Sequence, residues 1–260
     1  MIHLLSPAKS LDFTTKIGIE ESTIPMYLEE ASKLVNKLRK TSKKKVREMM
    51  TISEAIAELN VQRYQDWNGE EQLGELSRQA LFAFKGDVYL GLDAISLGKE
   101  SVEFAQRHLL ILSGMYGALR PLDVIEPYRL EMGTSLKVGR SNNLYQFWKD
   151  KPTDIVNERL KEEGSDLLIN LSSNEYFKVI NQKKIQARII SPEFKDAKNG
   201  QYKIISFFAK KARGLMSRFL IEHKIERLED IQAFDTAGYR YNAALSSENK
   251  PVFTREENQA

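Results

Sequence analysis

Two glycines three residues apart, Gly114 and Gly117, close a tight bend between apolar runs within residues 109–133, LLILSGMYGALRPLDVIEPYRLEMG. No other stretch constrains the fold as much. Behind the bend come two prolines (Pro121, Pro127), two arginines (Arg120, Arg129), two tyrosines (Tyr116, Tyr128) and two carboxylates (Asp123, Glu131). Glycine adopts positive φ and lets another backbone or a ligand approach closely, and amides freed at a following helix start make an anion site. The plainer alternative is a hairpin between two core helices carrying surface charges.

Size and composition place the chain among ordinary globular proteins. Its 260 residues allow one large or two small domains, and 42% apolar with 29% charged residues is unexceptional. No apolar stretch reaches the length of a membrane span, and MIHLLSPAKS carries neither a charged leader nor a small-residue cleavage site. Without cysteine there is no disulfide framework and no thiolate chemistry. The expectation is a cytoplasmic protein with no membrane contact.

The net charge of +3 hides segregation. Residues 33–47 hold eight basic groups and no acid, and residues 176–218 hold eleven against Glu193 and Asp196. The remaining residues carry 20 basic groups against 34 acids. An anionic partner responds to such a local field and not to the sum. The first block reads as solvated helix faces. In the second, lysines and arginines alternate with aromatics and strands.

Periodicity predicts helices from Leu28 to Lys40, after Ser42, from Ser53 to Trp67, at Leu144–Trp148, at Thr153–Glu163, at Asn174–Ile180 and at Lys210–His223. Strands are expected at Ile2–Leu5, Leu167–Leu171, Ile185–Ile190 and Tyr202–Phe208, with Asn199-Gly200 as a turn between the last two. Short strands are expected at Tyr239–Tyr241 and Val252–Thr254, and a further helix from Ser101; the run LLIL after it fits helix or strand equally. No repeat or linker divides residues 1–260. The resulting expectation is an α+β chain: one mixed α/β domain with a central mixed sheet flanked by helices.

Several groups could carry chemistry. A helix, a glycine bend and a second helix opened by Pro121 would present amides to a DNA phosphate, with Arg120 assisting by charge. This is similar to the helix-hairpin-helix of DNA-repair proteins, although two residues separate the glycines here instead of one. Lys210, Lys211, Arg213 and Arg218 surround Gly214, whose place inside a helix costs about 1 kcal/mol and asks for close approach of a ligand or another helix. Ser6-Pro7-Ala8-Lys9 has the spacing of a Ser/Lys nucleophile pair, but its partner motifs are missing. More simply, this loop follows the first strand and projects Lys9 into a cleft. Lys85, Asp87 and Tyr89 alternate as on one face of a strand, and Asn170, Ser172, Glu175 and Tyr176 follow another strand end, where α/β proteins place functional groups. The carboxylates Asp87, Asp123, Glu131 and Glu175 could act as acid/base groups or hold Mg²⁺ if the fold gathered them. His3, His108 and His223 lie far apart, and no phosphate-loop or dinucleotide fingerprint occurs.

Seven blocks then resemble one family: LLSPAKSLDF, FKGDVYLGL, LSGMYGALRPLD, PYRLEMG, LYQFW, INLSSNEYF and IISFFAKKARGLMSRF, in that order. On them the chain is identified as a member of the YaaA family of peroxide-stress proteins. The resemblance implies a fold peculiar to the family and a cytoplasmic role in the peroxide response, tied to limiting free iron and DNA damage. It also implies binding of duplex or branched DNA through a positive cleft and a helix-hairpin-helix-like element. The expected anion contacts are Lys9, Gly114, Tyr116, Gly117, Arg120, Lys210, Lys211, Arg213 and Arg218. No reaction comes with the resemblance, and no cofactor or resident metal is expected; the chain is taken as a monomer. The alternative is an enzyme acting on a nucleotide or nucleic acid in a polar cleft, with Lys9, Asp87, Asp123, Glu131 and Glu175 as candidates. Direct iron sequestration ranks last, for want of a carboxylate–histidine repeat.

Overall fold

Strand β1 (Ile2–Leu5) lies at the centre of a five-stranded sheet in a computed structural model that describes residues 1–257. Its four side chains, three of them apolar and the fourth His3, are all buried, as in a strand covered on both faces. On one side β1 pairs in parallel with Leu109–Ser113, on the other with Leu167–Asn170, which pairs in parallel with Arg188–Ile190. Gly117–Leu119 closes the far edge antiparallel to Leu109–Ser113. The helices Lys99–His108 and Lys151–Glu162 pack on β1. The mixed α/β architecture with a central mixed sheet is therefore as expected.

A second, four-stranded sheet has the order Gln201–Lys203, Glu193–Lys198, Val252–Arg255, Arg240–Tyr241. Phe194, Phe234, Tyr239 and Phe253 stack into its core. Buried Asp196 there binds Arg255 at 2.6 Å and accepts from the Tyr239 hydroxyl. The long helix Ser206–Glu222 joins the two sheets: it packs on Glu193–Lys198, and its Ser217 hydroxyl lies 3.0 Å from His3 Nε2 on β1.

Gly214 now has its reason. A Cβ there would lie 1.8 Å from the Val88 carbonyl oxygen, and one on Gly91 would lie 2.2 Å from that of Lys211. The Ser206–Glu222 and Asp87–Leu92 helices thus cross backbone to backbone, glycine against glycine.

Four local expectations need correction. The bend at Gly114–Gly117 is not a helix-hairpin-helix: LLILS is a strand, and Ser113 pairs with Gly117 across a β-hairpin. Its residues are buried on all sides, which favours a sheet-core strand over an amphipathic helix. Asp87–Leu92 is a helix and not a strand, because Tyr89 and Leu92 recur at helical spacing on its buried side. The long helix begins at Ser206 instead of Lys210, absorbing part of the strand expected at Tyr202–Phe208. The Asn199-Gly200 turn is present, both residues left-handed, but the strand before it is Glu193–Lys198, with Arg188–Ile190 in the other sheet.

Candidate functional site

The C-terminal ends of three neighbouring parallel strands (β1, Leu109–Ser113 and Leu167–Asn170) run into the loops that carry most of the polar residues singled out in the sequence. Ligands of α/β sheets gather at this edge. The Ser6 hydroxyl after β1 accepts the Ser173 amide at 2.8 Å, tying the first loop to the third. The Tyr89 hydroxyl donates to the Ser6 carbonyl, anchoring the Asp87–Leu92 helix to the same loop. Beyond it, Lys9 reaches Glu131 Oε2 at 2.9 Å, while Arg129 donates to Glu131 Oε1 from Nε at 3.2 Å and Nη2 at 2.9 Å. Glu175 accepts the Gly133 amide on Oε1 at 2.9 Å. A cavity of about 60 Å³ lies among Lys9, Tyr128, Arg129, Glu131, Glu175 and Tyr176.

Three of the candidate acid/base residues (Lys9, Glu131 and Glu175) therefore come together. Asp87 does not line this cavity; it is half-buried at the first position of its helix. Asp123 is fully buried. Its carboxylate takes the Arg120 amide and guanidinium at 2.8–3.0 Å and the Thr23 hydroxyl at 2.7 Å. Burial raises its pKa in spite of the arginine. It is a staple between residues 23 and 120–124, without access to a substrate.

The same staple answers for Arg120, whose Nη2 also donates to the Ile24 carbonyl. The glycine bend is sealed as well. Gly114 abuts Leu130 O, Gly117 stands at φ +73 beneath the Trp148 ring, and the Trp148 indole donates to Gly114 O. The amides of Met115 and Tyr116, which a phosphate would need, donate to Ser113 Oγ at 3.1 and 2.9 Å. Tyr116 is buried, its hydroxyl taking the Trp67 indole N–H and the Glu126 amide. Arg218 caps the Asp87–Leu92 helix through the Leu92 and Asp93 carbonyls and pairs with Glu222.

Lys210, Lys211 and Arg213 differ from these. Lys210 and Lys211 are exposed and, among the described residues, make no ion pair. Arg213 is only partly exposed, yet no carboxylate, carbonyl or hydroxyl among the described residues meets its guanidinium. Burial alone pulls its pKa down, with no acid opposing. Lys203 and Lys198 are exposed on the hairpin that precedes the helix. The first basic block is mixed: Lys37, Lys40, Lys44 and Lys45 are exposed and, among the described residues, make no ion pair, whereas the others are engaged. Lys43 binds Glu54 and Glu58, Arg47 binds Glu54, and Arg39 donates to backbone carbonyls of residues 64–67, knitting its helices to Glu54–Asp66.

Two residues that organise this region were missed. Ser113 caps the hairpin with its hydroxyl, for which a Ser-Gly step at a strand end was the available signal. Glu126 accepts the amides of Asn68, Gly69 and Glu70, a contact across more than 50 residues with no local signature.

Among the described residues no helix is long and apolar enough to cross a membrane, and no group of three or more acidic, histidine or cysteine side chains is placed to hold a metal ion. The family described as peroxide stress protein YaaA matches residues 1–245. The chain is 52% identical to a UPF0246 protein of Shewanella loihica over 99% of both chains. It is 51% identical to one of Marinomonas sp., covering 99% of this chain and 98% of that one. A UPF0246 protein of Hahella chejuensis is 49% identical, covering 98% of this chain and all of its own. Matched from the first strand through the second sheet, the chain belongs to the YaaA family of peroxide stress proteins.

Proposed function

We propose that the protein serves the peroxide response by binding DNA along its backbone, without reading sequence, on the face of the Ser206–Glu222 helix that carries Lys210, Lys211 and Arg213. One observation carries this reading: Arg213 is a partly buried guanidinium, still open to solvent, with no hydrogen-bond or ion-pair partner of its own among the described residues. A guanidinium held partly out of water with no carboxylate of its own is free to take an anion, and phosphate suits its fork. Lys210, one turn earlier, adds charge on the same face, and the exposed Lys203 lies three residues before the helix. Contacts of this kind set position and not sequence. Covering DNA would shield it from oxidants; a lower free-iron level belongs to the same proposed role and needs no metal site in the chain.

The test is a salt titration of binding to a labelled duplex by fluorescence anisotropy. With Lys203, Lys210, Lys211 and Arg213 each neutralising one phosphate, log K should fall against log[salt] with a slope of about −3.6. Replacing Lys210 and Lys211 by alanine should halve the slope to about −1.8. An affinity indifferent to salt, or a double variant with the parent slope, refutes the assignment.

A further inference from the structure

The polar cavity at the C-terminal edge of the sheet is not used by this reading, and its hydrogen-bond inventory is unbalanced. Ser113 Oγ accepts the amides of Met115 and Tyr116, which occupies both of its lone pairs. Its 2.6 Å contact with the Tyr128 hydroxyl is therefore a donation from Ser113 to Tyr128. The proton of Tyr128 is left over. That side chain is 5% exposed and lines the cavity, and burial drives its pKa far above the ordinary phenol range, so the proton stays in place.

Neighbouring groups add further donors. Lys9 spends one of its three ammonium protons on Glu131, and Arg129 spends Nε and one Nη2 proton there, leaving Nη1 unused. Both Glu131 oxygens are satisfied by these cations, and Glu175 Oε1 is satisfied by the Gly133 amide. Among the described residues, Glu175 Oε2 is the carboxylate oxygen of the lining left without a partner. A site so rich in donors and so poor in acceptors is completed by an acceptor-rich guest.

We infer that this cavity is a binding site for a small oxyanion of the phosphate class, either free or as the terminal monoester of a nucleotide or a DNA strand. The volume of about 60 Å³ admits a group of that size and excludes a base or sugar. Its donors come from two segments, the loop after β1 and residues 128–131, and its free acceptor from a third, the segment that follows Leu167–Asn170. A tetrahedral group, with oxygens in every direction, meets such an arrangement better than a planar carboxylate. Lys9, with 62% of its side chain exposed, stands at the mouth as the recruiting charge. Glu175 Oε2 takes the hydroxyl proton of a hydrogen phosphate. The site goes beyond the DNA-binding reading, since Lys210, Lys211 and Arg213 do not line it.

The experiment is calorimetric titration of the full chain with inorganic phosphate, followed by a nucleoside monophosphate against its nucleoside, and by a duplex with 5′-phosphate against 5′-hydroxyl ends. Inorganic phosphate should bind one to one. Tyr128→Phe, which keeps the ring, and Lys9→Met, on an exposed side chain, should each weaken it about tenfold or more. The Lys210→Ala/Lys211→Ala protein should bind it unchanged, which separates this site from the DNA face. Binding of free phosphate assigns the free ion as guest; binding of the monophosphate or 5′-phosphorylated duplex alone assigns the terminal monoester. Nucleoside binding as strong as that of its monophosphate, failure of every phosphate form to bind, or unaltered affinity in both Tyr128→Phe and Lys9→Met overturns the inference.

Discussion

Gly214→Ala sets two known effects against each other, and the structure decides the sign. In an isolated helix the change stabilises by about 1 kcal/mol. Here the new methyl would sit 1.8 Å from the Val88 carbonyl oxygen and 2.8 Å from the Leu92 nitrogen, both backbone atoms that cannot rotate aside. A carbon–oxygen contact relaxes near ~3.3 Å, so the two helices must part by roughly 1.5 Å. A gap of that order forfeits a large share of the dispersion energy along the crossing, and overpacking of this kind costs about 3 kcal/mol at the upper end of its usual range. The net loss is about 2 kcal/mol. At about 2.1 cal/mol/K per residue, a chain of 260 residues unfolds with an entropy near 0.55 kcal/mol/K, so Tm should drop by about 4 °C. Thermal unfolding followed by circular dichroism measures it. The reciprocal Gly91→Ala should cost a similar amount, and the double variant less than the sum, because the helices need separate only once. An unchanged or higher Tm in Gly214→Ala would show that the crossing is loose and would refute the reasoning.

His3 is fully buried against Ser217, and desolvation lowers its pKa from 6.5 to about 3. A histidine depressed in the fold contributes stability above pH 6.5 that is lost as pH falls toward 3, about 2 kcal/mol between pH 7 and pH 5; urea unfolding at the two pH values should show it, and His3→Gln should flatten that slope. The carboxyl of Asp12 is held below its ordinary range by the Thr15 and Thr14 hydrogen bonds, so its contribution persists above pH 3.8 and fades only in stronger acid; Asp12→Asn should remove that acid-limb loss in a denaturation curve. Glu126→Ala leaves three loop amides without their acceptor, and limited proteolysis should then cut within residues 68–74 at least several-fold faster than in the parent; equal cutting rates would deny Glu126 its role as the loop's anchor.

Legibility from sequence followed the range of the interactions. Helices with a polar start and a sustained apolar stripe are legible: a helix does follow Ser42, Glu54–Asp66 falls within the range Ser53 to Trp67 with Ser53 as its cap, and Leu144–Trp148 has the bounds expected. Short elements whose conformation is dictated by what they touch were not. Asp87–Leu92 alternates like a strand on paper, yet it must be helical to lay Gly91 on Gly214. The loops after β1 and Leu167–Asn170 were marked as places for function from strand ends alone, and Lys9, Glu131 and Glu175 do meet there. Arg120 and Arg218 have an acid three or four residues on, a local hint that separates them from Arg213. Two have carboxylate partners and one has none.

By itself the sequence determined the kind of protein this is. Its apolar periodicity required a buried mixed sheet, its seven blocks named a family, and its charge segregation concentrated positive groups near the Ser206–Glu222 helix. Tertiary structure alone decided which of those groups are available. Arg120–Asp123 and Arg218–Glu222 are pairs three and four residues apart that the letters can suggest, but only the fold decides that Asp123 is buried with Arg120 and that no distant carboxylate among the described residues reaches Arg213. The double-glycine bend shows the same division. Glycine licenses close approach, but only the fold says whether the neighbour is a ligand or, as here, Trp148 and Leu130.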